Sequence, residues 1–497
     1  MKKTILAMTL LAAAIVFAIG IASCSNLLER LEEGGKEPSH VHTYSTDWTR
    51  DATHHWHAST CGHKEEISGK AVHSFGDWTT TKDPTEEAEG TKERSCTVCE
   101  YTVPEVIEKL AHTHKFATDW TRDETHHWHA STCGHTEEIS GKAVHVFGNW
   151  TVTKDPTETQ EGRNERNCTV CGYTDSVVLQ PAPEGFVFVK GDTVVGAKNS
   201  NNFPGVFIEG RTVTLSDFYM GKYEVTQEEY ASVMEGQKVT VNGTDYALES
   251  NPSLCTADST IYTLFNGDVQ EKRPVENVTW YDSVWYCNAL SEKEGLTKVY
   301  NIEVTQVKQA YGKTGYYIYI ANVTLNKNAN GYRLPTEAEW EFAARGGDST
   351  KEDWNYMFSG ADTAEGVSFG SFKNSGLDSV GWYCYNSING TTGDTSPSSG
   401  EQGYGTHQVG KKAPNRLGLY DMSGNVWEWC YDMYGTVNKG EESDPTGAAS
   451  GNRVYRGGGW GGLSFSYAFQ ASVSLRDRYY SRNSSYYLGF RVVRLAN

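Results

Sequence analysis

Residues that could ligate a metal are concentrated in one part of this sequence. Fourteen of the fifteen histidines and six of the eleven cysteines fall between positions 40 and 171. The segment 46–78 returns almost unchanged at 118–150, an offset of 72, and a Cys-x-x-Cys pair follows each copy at 96–99 and 168–171. Two near-identical copies indicate a tandem duplication and not a solenoid, which needs at least three units.

The cysteine count of each copy favours a metal over disulfides. Three cysteines per copy would leave one thiol unpaired, whereas a Cys-x-x-Cys pair, a third Cys and a His form a tetrahedral zinc site. A module this short, with few aliphatic residues for a core, also needs such a staple. The sequence predicts one zinc ion per copy with these ligands: Cys61, Cys96, Cys99 and His57, then Cys133, Cys168, Cys171 and His129.

Two points about these copies stay open. His42, His63 and His73 are further candidates for the fourth ligand of the first copy. There are two alternatives to zinc. One is a Cys96–Cys99 disulfide, with Cys61 free or paired to Cys133, and the other is solvated histidines without a metal. A zinc site with four protein ligands has no open position for catalysis, so the copies are expected to serve as a spacer.

The N-terminus is typical of an exported lipoprotein. Two lysines precede an apolar run from Ile5 to Ala22, and Cys24 follows Ile-Ala-Ser. This pattern resembles the bacterial lipobox, in which the Cys is lipidated and becomes the mature N-terminus. The alternative is an uncleaved membrane anchor, because about twenty apolar residues can span a bilayer. Either way we expect an envelope location, with the rest of the chain outside the cytoplasm and tethered to a membrane. In the favoured lipoprotein interpretation, the tether is the lipid on Cys24.

The net charge narrows the class of partner, and changes in composition along the chain predict the domain boundaries. The 497 residues carry a formal charge of −19, which disfavours nucleic acid as a partner. We expect a signal peptide over 1–23, a tether over 24–39, the two copies over 40–110 and 112–178, and a Pro-containing linker over 179–185. One large domain then fills 186–497, where glycine, tryptophan and tyrosine replace histidine.

Capping signals place three helices in the large domain. Thr226 with Glu229 and Thr336 with Glu339 each form a predicted capping box, and a third helix ends before Gly295. The segment 186–196 alternates into a glycine turn, which predicts a strand and hairpin. The sequence of this domain thus predicts both helices and strands.

Five motifs of this domain carry a family resemblance. They are "PVENVTWYDSVWYCNALS" (274–291), "GYRLPTEAEWEFAARGG" (331–347), "NRLGLYDMSGNVWEW" (415–429), "RVYRGGGW" (453–460) and "LGFRVVR" (488–494). In this order they resemble the sulfatase-modifying-factor, or formylglycine-generating-enzyme, domain. The resemblance implies an α+β fold of the C-type-lectin kind that is rich in turns, preceded here by two small metal-stapled β repeats. Its core is expected to come from these residues: Leu334, Trp340, Leu417, Trp427, Trp429, Phe490 and Val492.

The resemblance also implies chemistry that this chain lacks. The family's enzymes oxidise a sulfatase cysteine to formylglycine with oxygen and with copper held by two cysteines. Gly462 and Tyr467 stand at the corresponding positions, and no cysteine occurs after Cys430. Monovalent copper requires soft thiolates, so no copper is expected. Cys255, Cys287, Cys384 and Cys430 are expected to be buried thiols or to form one or two disulfides.

A calcium loop is the second feature that the resemblance implies. Carried over to "YDMSGNVWEW" (420–429), its ligands are Asp421, the carbonyls of Gly424 and Val426, and Glu428. Oxygen ligands from a tight turn suit Ca²⁺. The alternative is a structural turn in which Glu428 pairs with an arginine.

The segment 460–487 predicts a binding face. It holds five tyrosines and seven serines but one acidic residue, a composition that resembles a paratope. It also resembles the variable proteins of diversity-generating retroelements, which randomise this segment. We expect one exposed concave face with these aromatic residues, Trp460, Phe465, Tyr467, Tyr479, Tyr480, Tyr486 and Tyr487, and with Arg476, Arg478 and Arg482 at its rim.

The favoured function is thus a surface-anchored lipoprotein that binds an unknown protein or glycan without catalysis. Two alternatives stay open: an oxidoreductase of the same family with altered chemistry, and a structural envelope lipoprotein. Iron chemistry is disfavoured, because His407 is the only histidine after His145 and one histidine cannot complete a facial triad.

Overall fold

The computed structural model describes residues 40–198, 203–326, 328–362, 373–387, 403–461 and 468–496. The predicted signal peptide, tether and lipidated Cys24 lie outside these ranges, as do Phe465 and Tyr467. Among the described residues no helix is long and apolar enough to cross a membrane. The chain divides into two compact units, Met1–Phe116 with Ser131–Glu138, and Ala117–Ala130 with Ile139–Asn497.

Each Cys/His copy consists of short antiparallel strands. In the first copy these are β1 (Tyr44–Arg50), β2 (His54–Ser59), β3 (Ile67–Val72), β4 (Thr79–Lys82), β5 (Gly90–Ser95) and β6 (Thr102–Ile107). In the second they are β7 (Thr121–Arg122), β8 (His126–Ala130), β9 (Ile139–Val144), β10 (Thr151–Lys154), β11 (Gly162–Asn167) and β12 (Thr174–Leu179). Each consecutive triplet forms one three-stranded sheet with neighbours in chain order.

The large domain mixes short strands with four α-helices in the described part of the chain. The strands are β13 (Phe186–Val189), β14 (Thr193–Val195), β15 (Arg211–Thr214), β16 (Phe218–Gly221), β17 (Lys238–Val241), β18 (Thr244–Ala247), β19 (Tyr300–Gln309), β20 (Tyr316–Leu325), β21 (Trp427–Met433), β22 (Gly440–Ser443), β23 (Arg453–Arg456), β24 (Asp477–Tyr479), β25 (Leu488–Gly489) and β26 (Val493–Leu495). The helices are α1 (Gln227–Met234), α2 (Trp280–Lys293), α3 (Glu337–Ala344) and α4 (Ser375–Val380). This α+β, turn-rich content confirms the predicted fold class.

The sheets bring the two ends of the domain together. The first strand, β13, and the last, β26, both pair with β16. A second sheet has the order β24-β23-β21-β25; β23 ends shortly before the tyrosine-rich segment 460–487, β24 lies within it and β25 follows it directly. The segment is therefore anchored at each end by strand pairing.

Local sequence patterns predicted the three helices correctly and one hairpin wrongly. Thr226 with Glu229 and Thr336 with Glu339 form complete capping boxes, and Gly295 follows α2 with a φ of 71°. The predicted hairpin at 186–196 is wrong, because β13 pairs with β16 while β14 pairs with β15 in another sheet. The alternation marked two strands but could not identify their partners.

The predicted core is largely correct. Six of the seven expected side chains are buried, and Leu417 is partly buried against them. Trp340, Trp429 and Phe490 are each 0% exposed. The described cysteines of this domain form no disulfide, and Cys255, Cys287 and Cys430 are buried thiols.

A fully buried ion pair joins three of the family motifs. The Arg491 guanidinium donates two hydrogen bonds of 2.6 Å to the Glu428 carboxylate. The indole Nε1 of Trp340 donates to the same carboxylate at 2.8 Å. Arg491 also donates to the carbonyls of Gly221 and Tyr420. Every charge of the pair is thus matched inside the core, as burial of ions requires.

Helix α3 extends this arrangement with three further carboxylates. Arg456, which is 0% exposed, donates to Glu337 at 2.9 Å and to Glu341 at 2.7 Å. Glu341 also accepts from Arg345, and Glu339 pairs with Arg333. We call these pairs, with Glu428–Arg491, the buried charge frame.

Residues 179–185, expected as a linker, pack against both of their neighbours. Ala182 is buried and its amide donates to the Thr157 carbonyl at 2.9 Å. The Tyr219 hydroxyl donates to the Gln180 carbonyl at 2.7 Å. Within the second unit this stretch is therefore held on each side by hydrogen bonds.

The buried charge frame predicts a large cost for breaking its central pair. Arg491→Met should lower the free energy of unfolding by about 3–5 kcal/mol, because Glu428 would remain buried and unpaired. Arg478→Met, at an exposed arginine, should cost below about 0.5 kcal/mol. Urea unfolding of both variants measures the difference, and equal costs would contradict the frame.

Candidate functional site

The Cys-x-x-Cys pair of each copy lies in a group of two cysteines and two histidines, which we call the buried ligand cluster. Cys96 and Cys99 meet His55 and His73, and in the second copy Cys168 and Cys171 meet His127 and His145. A bridge between Phe75 and Cys96 sets the pair beside His73. The His73 Nδ1 lies 3.2 Å from the Cys99 Sγ, and the equivalent distance in the second copy is 3.4 Å.

Hydrogen bonding prepares these ligands for a metal. The His73 Nε2–H donates to the Asp51 carbonyl at 2.8 Å, so the unprotonated Nδ1 faces the thiols. Burial alone would raise the pKa of Cys96, but N–H groups of Val98 and Cys99 and the His73 ring lower that pKa to about 6. A thiol that ionises near neutrality is a good metal ligand.

The third cysteine of each copy lies apart from that pair, in a group with three histidines that we call the outer ligand cluster. Cys61 meets His40, His42 and His63, and Cys133 meets His112, His114 and His135. Strands β1 and β2 pair Tyr44 with Ser59, which brings the histidines before β1 next to the turn after β2. The Ser59 hydroxyl, with His40 and His63, lowers the pKa of Cys61 to about 4.

The ligand set predicted for each copy is therefore wrong, because the structure does not bring those residues together. Cys61 does not join Cys96 and Cys99, and Cys133 does not join Cys168 and Cys171. His57 and His129 lie in neither kind of cluster, because their rings stack on Trp48 and Trp120 at 3.8 and 3.9 Å. His42, His63 and His73, the open candidates, are all in clusters.

In the large domain, tyrosines from distant segments form an aromatic cluster at the surface. Tyr262 stacks on Tyr486 with ring centroids 4.8 Å apart, and Tyr404 and Tyr487 extend the group. Trp460 forms the floor and donates from its indole to the Tyr486 carbonyl at 3.2 Å. We call these four tyrosines the tyrosine cluster. Tyr262 and Tyr404 were not predicted, because nothing in their local sequence links them to 460–487.

The tyrosine cluster offers hydrogen-bond donors without described partners. The phenol hydroxyls of Tyr262, Tyr404 and Tyr486 make no hydrogen bond to any described residue. Burial raises the pKa of all three, so they are neutral donors at physiological pH. Such rings combine apolar area with polar tips, as binding surfaces require.

A second patch lies around Tyr480, which is 51% exposed. The Arg482 guanidinium lies over the Tyr480 ring at 5.1 Å and over the Tyr319 ring at 5.8 Å. The Lys308 ammonium lies over Tyr319 at 3.5 Å. We call these four residues the basic–aromatic patch.

The expectation of one face for the whole segment is wrong for several residues. Trp460 is 1% exposed, and Tyr479 and Tyr487 both pack against the main core. Arg476 is not a rim residue, because two hydrogen bonds of 2.6 and 2.7 Å tie it to Glu337 in the interior. Arg478 is exposed and lies over Tyr434. Phe465 and Tyr467 lie outside the described residues.

The predicted calcium loop finds different partners in the structure. Both Glu428 oxygens accept from Arg491, which is the structural alternative to calcium. One Asp421 oxygen accepts from the Gly410 amide, and Gly424 packs its backbone against the Trp382 carbonyl. Calcium ligation by Glu428 stays a prediction, while in the described structure the Glu428 charge is matched by Arg491.

Sequence comparison decides the family of the large domain. Residues 175–496 match the model of the sulfatase-modifying factor enzyme 1-like domain. The chain belongs to this family.

Three relatives show how far the likeness extends. The chain is 36% identical over 286 residues to "Chaperone protein LppX" of Paenibacillus barcinonensis, which covers 57% of this chain and 82% of that protein. It is 27% identical over 327 residues to the formylglycine-generating enzyme of Thermomonospora curvata, 63% of this chain and 94% of the enzyme. The solved structure of Treponema denticola variable protein 1 matches with a TM-score of 0.44 and 30% identity, covering 67% of this chain and 99% of that one.

Membership of the sulfatase-modifying-factor family does not bring its copper chemistry with it. Copper in this family needs two thiolates, and this chain has no cysteine after Cys430. The remaining buried cysteines are unsuitable, because burial raises the pKa of Cys255, Cys287 and Cys430. The donor set does not fit copper, so we derive no oxidation step.

A buried carboxyl of this domain makes its stability depend on pH. Asp432 accepts a hydrogen bond from the Glu337 amide, and burial together with the Glu337 charge raises the pKa of Asp432 to about 8. In the unfolded chain the pKa of Asp432 is about 3.9. Between this value and about 8, the folded state therefore binds more protons than the unfolded state. Asp432 therefore contributes a loss of stability as the pH rises from about 5 to about 8.

Replacing this carboxyl should flatten the pH dependence. Asp432→Asn keeps an acceptor for the Glu337 amide but cannot ionise. Urea midpoints at pH 5.5 and pH 8 should therefore differ less in the variant than in the wild type. The same loss of stability in both proteins would show that Asp432 is not protonated in the fold.

Proposed function

We propose that this protein is a lipid-anchored envelope protein whose family domain binds a ligand and catalyses no oxidation. The tyrosine cluster and the basic–aromatic patch form the binding surface. Anchoring through Cys24 and an extracytoplasmic location complete the proposal, on the basis of the N-terminal sequence pattern.

The tyrosine cluster is the observation that carries this proposal. Tyrosine side chains give large contact areas at a low entropic cost, and they dominate the binding energy of many interfaces. Here their rings are held against one another and against buried Trp460 before any ligand arrives. Preorganisation of this kind lowers the cost of binding.

The two charged residues of the basic–aromatic patch favour an acidic ligand segment. Lys308 and Arg482 are exposed on a chain with a formal charge of −19. Their partners in the patch are tyrosine rings and not carboxylates, so the positive charges are not neutralised there. Because the relative with 36% identity is named a chaperone, we take the ligand class to be protein.

Zinc is the proposed ion of the buried ligand clusters. Two thiolates and two imidazoles are a common structural zinc set, and the sulfur–nitrogen distance of 3.2 Å in the first copy is near the value of about 3.5 Å that a tetrahedral ion imposes. Binding would stabilise the small sheets of each copy.

Phage display of a random peptide library on the immobilised full-length protein tests the binding surface. Selected clones should bind the Tyr262→Ser/Tyr486→Ser variant at least about tenfold more weakly, a change of about 1.4 kcal/mol, because two central aromatic contacts are lost. The peptides of the selected clones should be enriched in acidic residues.

Tyr311→Ser is the matched control, since Tyr311 is 94% exposed and lies outside both patches. It should leave binding unchanged. Near-UV circular dichroism must show that the double variant is folded at the assay temperature. Equal binding to wild type, control and double variant would place the ligand elsewhere and refute the proposal.

A further inference from the structure

Each outer ligand cluster consists of one cysteine and three histidines. Three imidazole rings around one thiol are more than hydrogen bonding to that thiol explains. In the second copy the Cys133 Sγ lies 3.1 Å from the His112 Nε2, 3.6 Å from the His114 Nδ1 and 3.7 Å from the His135 Nδ1. A thiol is a weak hydrogen-bond donor and a weak acceptor, so hydrogen bonding alone gives little reason for three rings to gather around it. In the first copy the Cys61 Sγ lies 3.4 and 3.7 Å from two histidines.

These separations are the edges of a tetrahedron around one ion. Zinc at about 2.3 Å from sulfur and about 2.0 Å from nitrogen places the two ligand atoms about 3.5 Å apart. All four ligand atoms of each cluster lie within 4.8 Å of one another. The turn that presents Cys61 depends on Gly62, whose φ of 87° is unfavourable for other residues.

We propose that each outer ligand cluster binds a second zinc ion, so that the chain holds four ions in two chemical classes. The nitrogen and sulfur donors select zinc over calcium or magnesium. His40 and His63 are exposed, whereas three ligands of the buried ligand cluster in the same copy are buried. The second ion therefore exchanges with solution faster than the first.

The outer ligand clusters of the two copies differ in one contact, which a ligand histidine makes with a residue outside the cluster. The His112 Nδ1 pairs with a Glu86 oxygen at 2.5 Å, which orients the ring and leaves Nε2 for the metal. The position 72 residues before Glu86 is Ala14, so sequence supplies no counterpart for His40. Carboxylates that hold a metal ligand in this way change metal affinity about 10- to 100-fold. The site in the second copy is therefore the tighter of the two.

Zinc content of the purified full-length protein is the first test. Elemental analysis should give four zinc ions per chain in the wild type and two in Cys61→Ser/Cys133→Ser. The matched Cys99→Ser/Cys171→Ser variant should lose the buried class instead. Two ions in both the wild type and the first variant would overturn this inference and leave zinc in the buried ligand clusters intact.

Cobalt(II) substitution gives a second readout that does not depend on counting ions. The thiolate-to-cobalt absorbance should fall by about one third in Cys61→Ser/Cys133→Ser, since two of six ligating thiolates are removed. Unchanged absorbance would contradict ligation by these cysteines. Far-UV circular dichroism of each variant shows whether the sheets remain folded.

Competition with a chromophoric zinc chelator tests the difference between the copies. Zinc should leave the wild type in at least two phases, the faster one absent from Cys61→Ser/Cys133→Ser. Glu86→Gln should weaken one of the two fast sites about tenfold or more. A single release phase in the wild type would contradict two classes of site.

Discussion

The buried pair of Glu428 and Arg491 is the interaction on which the large domain depends. Its carboxylate receives the guanidinium from the C-terminal motif and the indole of Trp340 from α3. Its guanidinium also satisfies the carbonyls of Gly221 and Tyr420. Because ions without partners are costly in a core, the pair forms only when all of these segments are in place. Folding of the last motif (488–494) is thus coupled to folding of the motifs at 331–347 and 415–429.

The buried charge frame also explains how a polar segment can end a folded domain. Arg456, before the segment 460–487, and Arg476, within it, meet at Glu337, and Arg491 meets Glu428 beyond the segment. Between these anchors, Tyr480 and Arg482 contribute to a surface patch rather than to the core. Residues of this surface can therefore specify binding while the anchors keep the backbone in position.

Local and family-level features of the sequence predicted the helices, the family and most of the core. Capping residues located α1 and α3, and the five motifs identified the family and most of the core. Each of these features is carried by residues close in sequence, or by a pattern whose order is known.

Features that depend on distant pairing were not predictable. Closeness in sequence to Cys61 favours His57 as a ligand, but the His57 ring stacks on Trp48. Strand pairing brings His40 and His42 to that cysteine instead. Arg476 looked like a surface residue because its partner Glu337 lies 139 positions away. The cysteines and histidines could be counted from the sequence, but their division into two clusters per copy required the register of β1 and β2.

Amide hydrogen exchange of the full-length protein, measured by mass spectrometry, tests the central claim that a rigid frame carries an exposed binding segment. Peptides covering 427–433 and 488–495 should exchange only through global unfolding, because their amides belong to paired strands inside the frame. A peptide covering 480–486 should exchange much faster, through local opening. Equally slow exchange in that segment would show that its tyrosines belong to the core and would contradict the account.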